Sequence, residues 1–238
     1  MNPRILLVED DPTSRAFLLA ATRALPAEVD LACDMAGAIE AATACAHALW
    51  LFDARLPDGS GAQLLALLRE RGLDTPAIAH TASPERDEHE ALRAAGFRDV
   101  VAKPLPAAEW TAALRRALGQ GAAGTAEEAG VYARTPGAVP VWDEAQALAA
   151  LGHNPAHVSG LRQLFVSELP GVRDAVVAAA ERGDAAAVGD QLHRLRSGCG
   201  FVGAARLLQA TLRLQAAPGS TAALHAFLDA AQDTLSSS

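Results

Sequence analysis

Four groups of side chains that could bind a phosphoryl group and a metal ion follow apolar runs of this chain. Glu9 and Asp10 follow the apolar run at residues 5–8, and Asp53 follows the run at 49–52. Thr81 comes after the run at 77–79, and Lys103 comes after the run at 100–102. Crowded carboxylates bind a hard cation such as Mg2+ or Mn2+, because the cation relieves their mutual repulsion. The cation also neutralises an incoming phosphoryl group, while a lysine and a hydroxyl bind its remaining oxygens. An aspartate in such a site can carry a covalent acyl phosphate.

Lys103 is the only lysine among 20 basic residues, and it stands directly before Pro104. The chain uses arginine at every other basic position. The retained lysine therefore indicates a site that requires a compact ammonium group on a slim stem.

The first half of the chain alternates between two hydrophobic patterns. Short apolar runs at 5–8, 29–32, 49–52, 77–79 and 100–102 alternate with helical spacing at about 13–24, 35–47, 61–71, 84–95 and 106–118. Asp11, Asp34 and the pair Ser83-Pro84 mark helix starts. Strands that are apolar on both faces predict a doubly wound α/β fold with a five-stranded parallel sheet. Ligands bind beyond the carboxyl ends of such strands, so the four groups should converge on one edge.

The second half of the chain has a different pattern. Residues 119–140 are rich in Gly, Ala and Pro and predict a flexible linker. Beyond it the spacing is only helical, at about 143–150, 155–168, 170–182, 184–199, 203–216 and 221–235, with breaks at Gly152, Pro170, Gly183, Pro218 and Gly219. The sequence thus predicts a domain at 1–118, a linker, and an all-α helical bundle at 141–238.

Composition excludes several classes of function. The net charge is −8 and both halves are acidic, so a nucleic-acid partner is not expected. No apolar run approaches the ~20 residues that cross a bilayer, and the first residues turn acidic too early for a secretory signal. The three cysteines lack metal-type spacing. These features indicate a cytoplasmic protein with reduced thiols.

Residues 1–118 resemble a response-regulator receiver domain. The segments ILLVEDDP, LFDARLPDGSG, HTAS and VVAKP match the blocks of that family in order and spacing. The resemblance gives each matching residue a role: Asp53 as the phosphorylated aspartate, Glu9 and Asp10 with Asp53 and the backbone carbonyl of Arg55 as metal ligands, Thr81 as the switch hydroxyl, and Lys103 as the phosphate-binding lysine joined to Pro104 by a cis peptide.

Two positions depart from the receiver pattern. Leu56 replaces the usual methionine, which is a tolerable apolar exchange. Val100 stands where the family has an aromatic residue that couples the hydroxyl to the output face. The resemblance therefore implies intact acceptor chemistry and an altered conformational readout.

A histidine in the helical half lies on a predicted helix. Leu192, Leu195, Cys199 and Val202 form a core-facing stripe, and His193, Arg196, Ser197 and Gly200 form a neighbouring stripe that we expect to be exposed to solvent. Gly198 and Gly200 each cost a helix about 1 kcal/mol relative to alanine. Glycine at such positions indicates that another group approaches the backbone closely.

The segment HRLRSGCGFVGA resembles the histidine phosphotransfer signature. The resemblance implies that His193 carries a phosphoryl group, supported by Arg196, Ser197 and Gly200. Arg196 and Ser197 stand where the family typically has lysine and glycine. An arginine can hold a phosphoryl group at least as well as a lysine. The Ser197 side chain, in contrast, narrows the space through which a phosphoryl group approaches His193.

The sequence therefore predicts a two-component phosphorelay protein that is not itself an ATP-using enzyme, since it contains no nucleotide-binding loop. We expect a sensor histidine kinase, receiver-domain proteins, or both as its partners. One alternative is an adaptor or phosphate sink without relay through His193. A metal-dependent phosphohydrolase of the haloacid-dehalogenase type is less favoured, because Arg55 replaces that family's second aspartate.

The two predicted sites could also exchange phosphoryl groups within one chain. A flexible linker of about 22 residues spans roughly 26 Å, which allows Asp53 and His193 to meet. Because both domains are acidic, net charge does not draw them together. From sequence we expect slow self-transfer and faster exchange between His193 and a separate receiver, and the oligomeric state stays open.

Overall fold

The computed structural model describes residues 2–83, 85–119 and 139–237, so most of the predicted linker lies outside the described residues. The strands are β1 Arg4–Val8, β2 Glu28–Ala32, β3 Leu49–Asp53, β4 Arg55–Leu56, β5 Gly59–Ser60, β6 Ala77–Thr81 and β7 Asp99–Ala102. The helices are α1 Pro12–Arg23, α2 Met35–Ala44, α3 Gly61–Glu70, α4 Arg86–Ala94, α5 Ala107–Ala117, α6 Glu144–Ala150, α7 Pro155–Glu181, α8 Ala185–Val202, α9 Ala205–Ala216 and α10 Thr221–Ser236.

The first half of the chain forms a five-stranded sheet of order β2-β1-β3-β6-β7. Every pairing in it is parallel. All residues of β3 and β6 are buried, as expected for central strands covered on both faces. The predicted doubly wound fold is confirmed. β4 and β5 form a short antiparallel hairpin directly after β3.

Two of the three predicted helix starts have the expected caps. The side chains of Asp11 and Asp34 accept hydrogen bonds from backbone N–H groups in the first turns of α1 and α2. α4 differs, because it begins at Arg86, two residues later than predicted, and the predicted proline start lies outside the described residues. The Ser83 hydroxyl accepts a hydrogen bond from the N–H of Glu85, which forms a turn ahead of the helix.

The described part of the second half forms a bundle of five helices. The predicted break at Pro170 is wrong, because α7 runs through it. A proline inside a helix removes one backbone hydrogen bond. Leu169 and Val176, before and after Pro170, are both buried, so packing in the bundle holds the two halves of α7 together. The predicted break at Gly183 is present, with φ 68 at that glycine.

The bundle packs directly against the sheet domain. α7 and α8 both contact α1, and one hydrophobic core continues from β1 and β3 through α1 and α5 into α7–α10. A second core on the opposite face of the sheet is covered by α2 and α3. Within the described ranges, the structure contains no helix long and apolar enough to cross a membrane.

Candidate functional site

A buried ion-pair cluster lies at the carboxyl ends of β1, β3 and β7. The Lys103 ammonium donates to Asp53 Oδ2 at 2.7 Å and to Glu9 Oε2 at 2.8 Å. All three side chains are buried. The backbone N–H of Arg55 donates to Asp53 Oδ1 at 3.0 Å. Three of the sequence-predicted residues therefore meet directly, because parallel strands end at the same sheet edge.

The protonation states in this cluster follow from burial and charge. Burial alone would raise the pKa of Asp53, but the Lys103 ammonium and the Arg55 N–H lower it to about 2. Burial also lowers the pKa of Lys103, and the carboxylates of Asp53 and Glu9 more than offset this, so that pKa lies above its ordinary value. Asp53 is thus ionised near neutral pH and can act as a nucleophile.

The remaining carboxylates are crowded around the same point. Burial, together with the nearby charge of Asp53, raises the pKa of Glu9 well above its usual range. Burial likewise raises the pKa of Asp10, although Arg194 partly offsets it, and that of Asp11. Several acidic oxygens around one ammonium group form a donor set that suits a hard divalent cation.

Thr81 and Lys103 are placed as the sheet topology predicts. The peptide bond between Lys103 and Pro104 is cis, which confirms that prediction. Thr81 Oγ1 donates to Glu88 Oε1 of α4 at 2.7 Å and accepts from the backbone N–H of Ser83. The hydroxyl is therefore held by α4. Val100 is buried in β7, beside β6.

His80 is a site residue that the sequence reasoning missed. It is fully buried, and its Nδ1 lies 3.5 Å from Glu9 Oε2 and 4.0 Å from Asp53 Oδ2. Burial, and then the charge of Lys103, lowers its pKa to about 3, so the ring is neutral. The sequence signal for His80 was its place directly before Thr81. However, adjacent side chains on a strand point to opposite faces of the sheet, so the sequence places His80 on the face opposite Thr81.

His193 lies on α8 but is not exposed, so the predicted solvent accessibility is wrong. Its side chain is buried, and its Nε2 has no hydrogen-bond partner among the described residues. The reason is that the sheet domain covers this face of α8. Burial, and then the charges of Arg55 and Lys103, lowers the pKa of His193 to about 4. The imidazole is neutral near pH 7 and keeps a free nitrogen lone pair.

The other residues on the His193 face are also covered. Ser197 and Gly200 are buried, and Arg196 is half-buried. Burial lowers the pKa of Arg196, partly offset by Glu85 and Glu88 near the start of α4. A Cβ added at Gly200 would lie 2.7 Å from Pro104 Cβ, which confirms that another group approaches the backbone here.

One cavity joins the two predicted sites. It has a volume of about 190 Å³ and is formed by both halves of the chain. Its lining includes the acidic cluster and the α8 face: Glu9, Asp10, Asp11, Asp53, Arg55, Lys103, Asp190, His193, Arg194 and Ser197. Arg194 was not singled out from the sequence, and its Nε donates to Asp10 Oδ2 at 2.9 Å.

Two family models match the chain, one in each half. Residues 5–115 match the response regulator receiver domain, and residues 160–237 match the Hpt domain. The chain therefore carries a receiver domain followed by an Hpt domain. Both are phosphotransfer modules.

Several curated proteins are similar to this chain. The signal transduction histidine-protein kinase BarA of Escherichia coli is 26% identical over 208 residues, which are 85% of this chain and 22% of BarA. The sensor histidine kinase GacS of Pseudomonas protegens is 23% identical over 223 residues, or 89% of this chain and 24% of GacS. The transcription factor prr1 of Schizosaccharomyces pombe is 34% identical over 104 residues, or 44% of this chain and 19% of prr1. The chain thus spans about a fifth to a quarter of these relatives.

Among solved structures, the receiver domain of a sensor histidine kinase from Pseudomonas aeruginosa is similar to the first half. That protein is described with a magnesium ion coordinated in its active site cleft. It is 34% identical, with a TM-score of 0.46, and the match covers 50% of this chain and 99% of that one.

Proposed function

We propose that this chain is a phosphorelay protein that accepts a phosphoryl group on Asp53 and exchanges phosphoryl groups through His193. The observation that carries the proposal is the shared cavity, which brings an ionised buried aspartate, a lysine and a neutral histidine together. A phosphoryl group exchanges between a carboxylate oxygen and an imidazole nitrogen when both can approach its phosphorus atom in line. The receiver and Hpt families support the same chemistry.

Each residue has a role in this proposal. The Asp53 oxygen is the acceptor, and Lys103 binds oxygens of the phosphoryl group that the carboxylate carries. Glu9, Asp10, Asp53 and the Arg55 carbonyl would hold Mg2+ or Mn2+, because the acidic oxygens cluster around one ammonium group. Such an ion would neutralise charge on the phosphoryl group when bound. Thr81 is the switch hydroxyl in this scheme.

The helical side has its own set of roles. His193 is the phosphorylated histidine, and Nε2, which has no hydrogen-bond partner among the described residues, is the reacting nitrogen. Arg196 lies one helical turn beyond His193 and would attract the charge of the phosphoryl group. Ser197 and Gly200 shape the approach to His193.

The proposed domain limits are residues 1–118 for the receiver, 119–140 for the linker and 141–238 for the phosphotransfer domain. The chain would act in the cytoplasm, between a sensor histidine kinase and receiver-domain proteins. Because no nucleotide-binding loop is recognisable in the sequence, the phosphoryl group would come from a partner or a small phosphodonor.

Incubation of the full chain with a small acyl phosphate and Mg2+ tests the acceptor. We expect one phosphate on Asp53 and none in Asp53→Asn, measured by intact-protein mass spectrometry. Equal labelling in EDTA or in Asp53→Asn would overturn the assignment.

To separate a relay from an adaptor, labelled chain is mixed with a purified receiver from the same cell. Label should reach that receiver from the parent chain and not from His193→Gln.

A further inference from the structure

A second group of metal-binding side chains lies near the amino ends of β1 and β3, away from the acidic cluster. This thiol cluster consists of Asp30 on β2, Cys45 directly after α2 and His47 shortly before β3. Cys45 and His47 are close in sequence, but Asp30 joins them only because β2 and β3 both flank β1 in the sheet. Spacing along the chain therefore does not reveal the group.

The thiol cluster brings three different ligand atoms together. Asp30 Oδ2 lies 2.9 Å from His47 Nε2 and 3.6 Å from Cys45 Sγ. The sulfur lies 3.7 Å from the same histidine nitrogen. The ligand atoms of a tetrahedral zinc ion stand roughly 3.3–3.6 Å apart, because their bonds to the ion are about 2.0–2.3 Å long. Small adjustments of these side chains would therefore let all three atoms bind one ion.

The same geometry does not suit a catalytic cysteine. In a Cys–His–Asp arrangement built for nucleophilic attack, the thiol and the carboxylate bond to different nitrogens of the imidazole ring. In the thiol cluster both face Nε2 of His47, and Nδ1 has no hydrogen-bond partner among the described residues. A shared metal ion requires such convergence on one nitrogen. The ring can carry its proton on Nδ1 while Nε2 binds the ion.

Burial in the thiol cluster is uneven, which leaves a path for an ion. The His47 side chain is fully buried, whereas the Asp30 side chain is 34% exposed. Cys45 is half-buried. An ion can therefore enter from the side of Asp30 and Cys45 and meet a histidine whose position is fixed by packing. The open side also leaves room for a water molecule as the fourth ligand.

Arg4 is the cation that faces the thiol cluster among the described residues. Its Nη1 lies 3.4 Å from Asp30 Oδ2 and 3.6 Å from Cys45 Sγ, whereas its Nη2 donates to Glu28 Oε2 at 2.7 Å. The Arg4 side chain is 41% exposed. Arg4 can therefore turn away from Asp30 and Cys45 and keep its short bond to Glu28. Its presence indicates that this point of the structure attracts positive charge.

We infer that Asp30, Cys45 and His47 form a binding site for Zn2+. Thiolate and imidazole ligands favour Zn2+, whereas Mg2+ prefers oxygen ligands. On binding, the Cys45 thiol releases its proton to solvent and its sulfur bonds to the ion, while the imidazole stays neutral. One carboxylate and one thiolate then balance the two positive charges of the ion. The bound ion ties the edge strand β2 to the segment between α2 and β3 and stabilises the receiver domain.

The zinc site and the acidic cluster are separate. Arg4 begins β1 and Glu9 follows its last residue, so the two ends of the strand are roughly 16 Å apart at ~3.3 Å per residue. An ion in the thiol cluster therefore does not replace the Mg2+ proposed for the acidic cluster. The inference does not depend on the proposed phosphorelay function, and each can fail without the other.

Cobalt absorption of the full chain tests the site. Co2+ occupies tetrahedral zinc sites, and its bond to a thiolate adds a charge-transfer band in the near ultraviolet. Titrations are made in a non-thiol reductant and in excess Mg2+, which keeps the acidic cluster filled with Mg2+. We expect the band to appear on addition of Co2+ and to disappear on addition of Zn2+, which binds such ligands more tightly. A chain that shows no such band would overturn the inference.

Two serine variants identify the thiolate. Cys45→Ser removes the proposed ligand, whereas the matched control Cys33→Ser removes an exposed thiol of the same domain that lies outside the thiol cluster. We expect the cobalt band to be lost in Cys45→Ser and kept in Cys33→Ser. Labelling of Asp53 by an acyl phosphate should be equal in the two variants, which shows that both receivers are folded. A band that persists in Cys45→Ser would overturn the inference and leave the phosphorelay proposal intact.

Alkylation of the parent chain tests the same point without a substitution. Iodoacetamide reacts with free thiolates, and mass spectrometry of peptides reports each cysteine separately. We expect Zn2+ to slow the alkylation of Cys45 by about tenfold or more, because a metal-bound thiolate is not free to react. Alkylation of Cys33 should not change, and Mg2+ should protect neither residue. Equal alkylation of Cys45 with and without Zn2+ would contradict the site.

Replacing Arg4 tests the position of the ion. We expect Arg4→Gln to bind Zn2+ several-fold more tightly, because a positive charge beside the ion is removed. Competition between Zn2+ and Co2+, followed by the cobalt band, measures the change. Arg93→Gln is the control, because Arg93 faces Asp99 elsewhere in the receiver domain. Unchanged or weaker Zn2+ binding in Arg4→Gln would show that the ion does not lie beside Arg4 and would overturn the site.

Discussion

Arg194 of the Hpt domain donates a hydrogen bond to Asp10 of the receiver domain, with Nε and Oδ2 2.9 Å apart. Asp10 is also one of the residues proposed to hold a divalent cation. The same carboxylate therefore has two cationic partners, one on α8 and one from solution. Because both partners neutralise the same charge, docking of the domains and metal binding should influence each other.

Replacing Arg194 should change the affinity for metal. In the unphosphorylated chain, Arg194→Gln removes the positive charge next to Asp10, so we expect Mg2+ to bind several-fold more tightly. Isothermal titration calorimetry on the full chain measures this. Arg206→Gln is the control, because Arg206 pairs with Asp233 inside the bundle. Weaker or unchanged Mg2+ binding in Arg194→Gln would show that the two cations do not share Asp10.

Removing the Lys103 charge should destabilise the receiver in a pH-dependent way. Lys103→Met leaves Asp53 and Glu9 buried without a cation, which typically costs about 3–5 kcal/mol near neutral pH. Asp53 has a pKa of about 2 in the folded chain and about 4 when unfolded. The stabilisation from the ion pair of Asp53 with Lys103 is therefore present above about pH 4 and is lost as the pH falls toward 2.

Urea denaturation of Lys103→Met and of the parent chain at decreasing pH measures that difference. Arg86→Gln serves as a control, since Arg86 forms an exposed pair with Glu90 and should matter little at any pH. A stability difference that stays constant down to the lowest pH at which both chains fold would contradict the assigned pairing.

The hydrogen bond between Thr81 and Glu88 should oppose activation. In the proposed scheme, Thr81 must leave Glu88 before its hydroxyl can donate to a phosphoryl oxygen. We expect Glu88→Ala to bind beryllofluoride, a phosphoryl mimic, about tenfold more tightly, since a bond to a charged group contributes ~1.5 kcal/mol. Asp87→Ala removes the same kind of charge from the first turn of α4 without touching Thr81. If both variants gain equally, helix charge rather than this bond explains the effect.

Val100 should confine the response to phosphorylation near the site. Without an aromatic side chain at this position, movement of Thr81 has no large ring to displace. We expect beryllofluoride to alter amide exchange around Asp53 and Thr81 more than across α5. Hydrogen exchange with mass spectrometry, with and without the mimic, makes the comparison. Strong new protection over residues 98–118 would show that the readout survives the valine.

The sheet and its acidic site could be predicted because they depend on local pattern. The apolar run that ends at Asp53 defines a buried parallel strand, and the topology then carries Glu9 and Lys103 to the same edge. The positions of most helices followed from spacing in the same way. Pro170 was misread because local propensity favours a break, whereas burial on both sides of the proline maintains α7.

The sequence by itself determined the two domains, the acidic cluster around Asp53 and the helix that carries His193, because these features depend on neighbours in sequence and on strand order. The burial of His193 and its place beside Asp53 were decided by tertiary structure alone. They arise from Phe17 on Phe201 and Pro104 on Gly200, contacts between residues that the intervening chain separates widely. Net charge is a sum over a whole domain. It therefore could not predict an interface that depends on two phenylalanine rings, one glycine and one local ion pair.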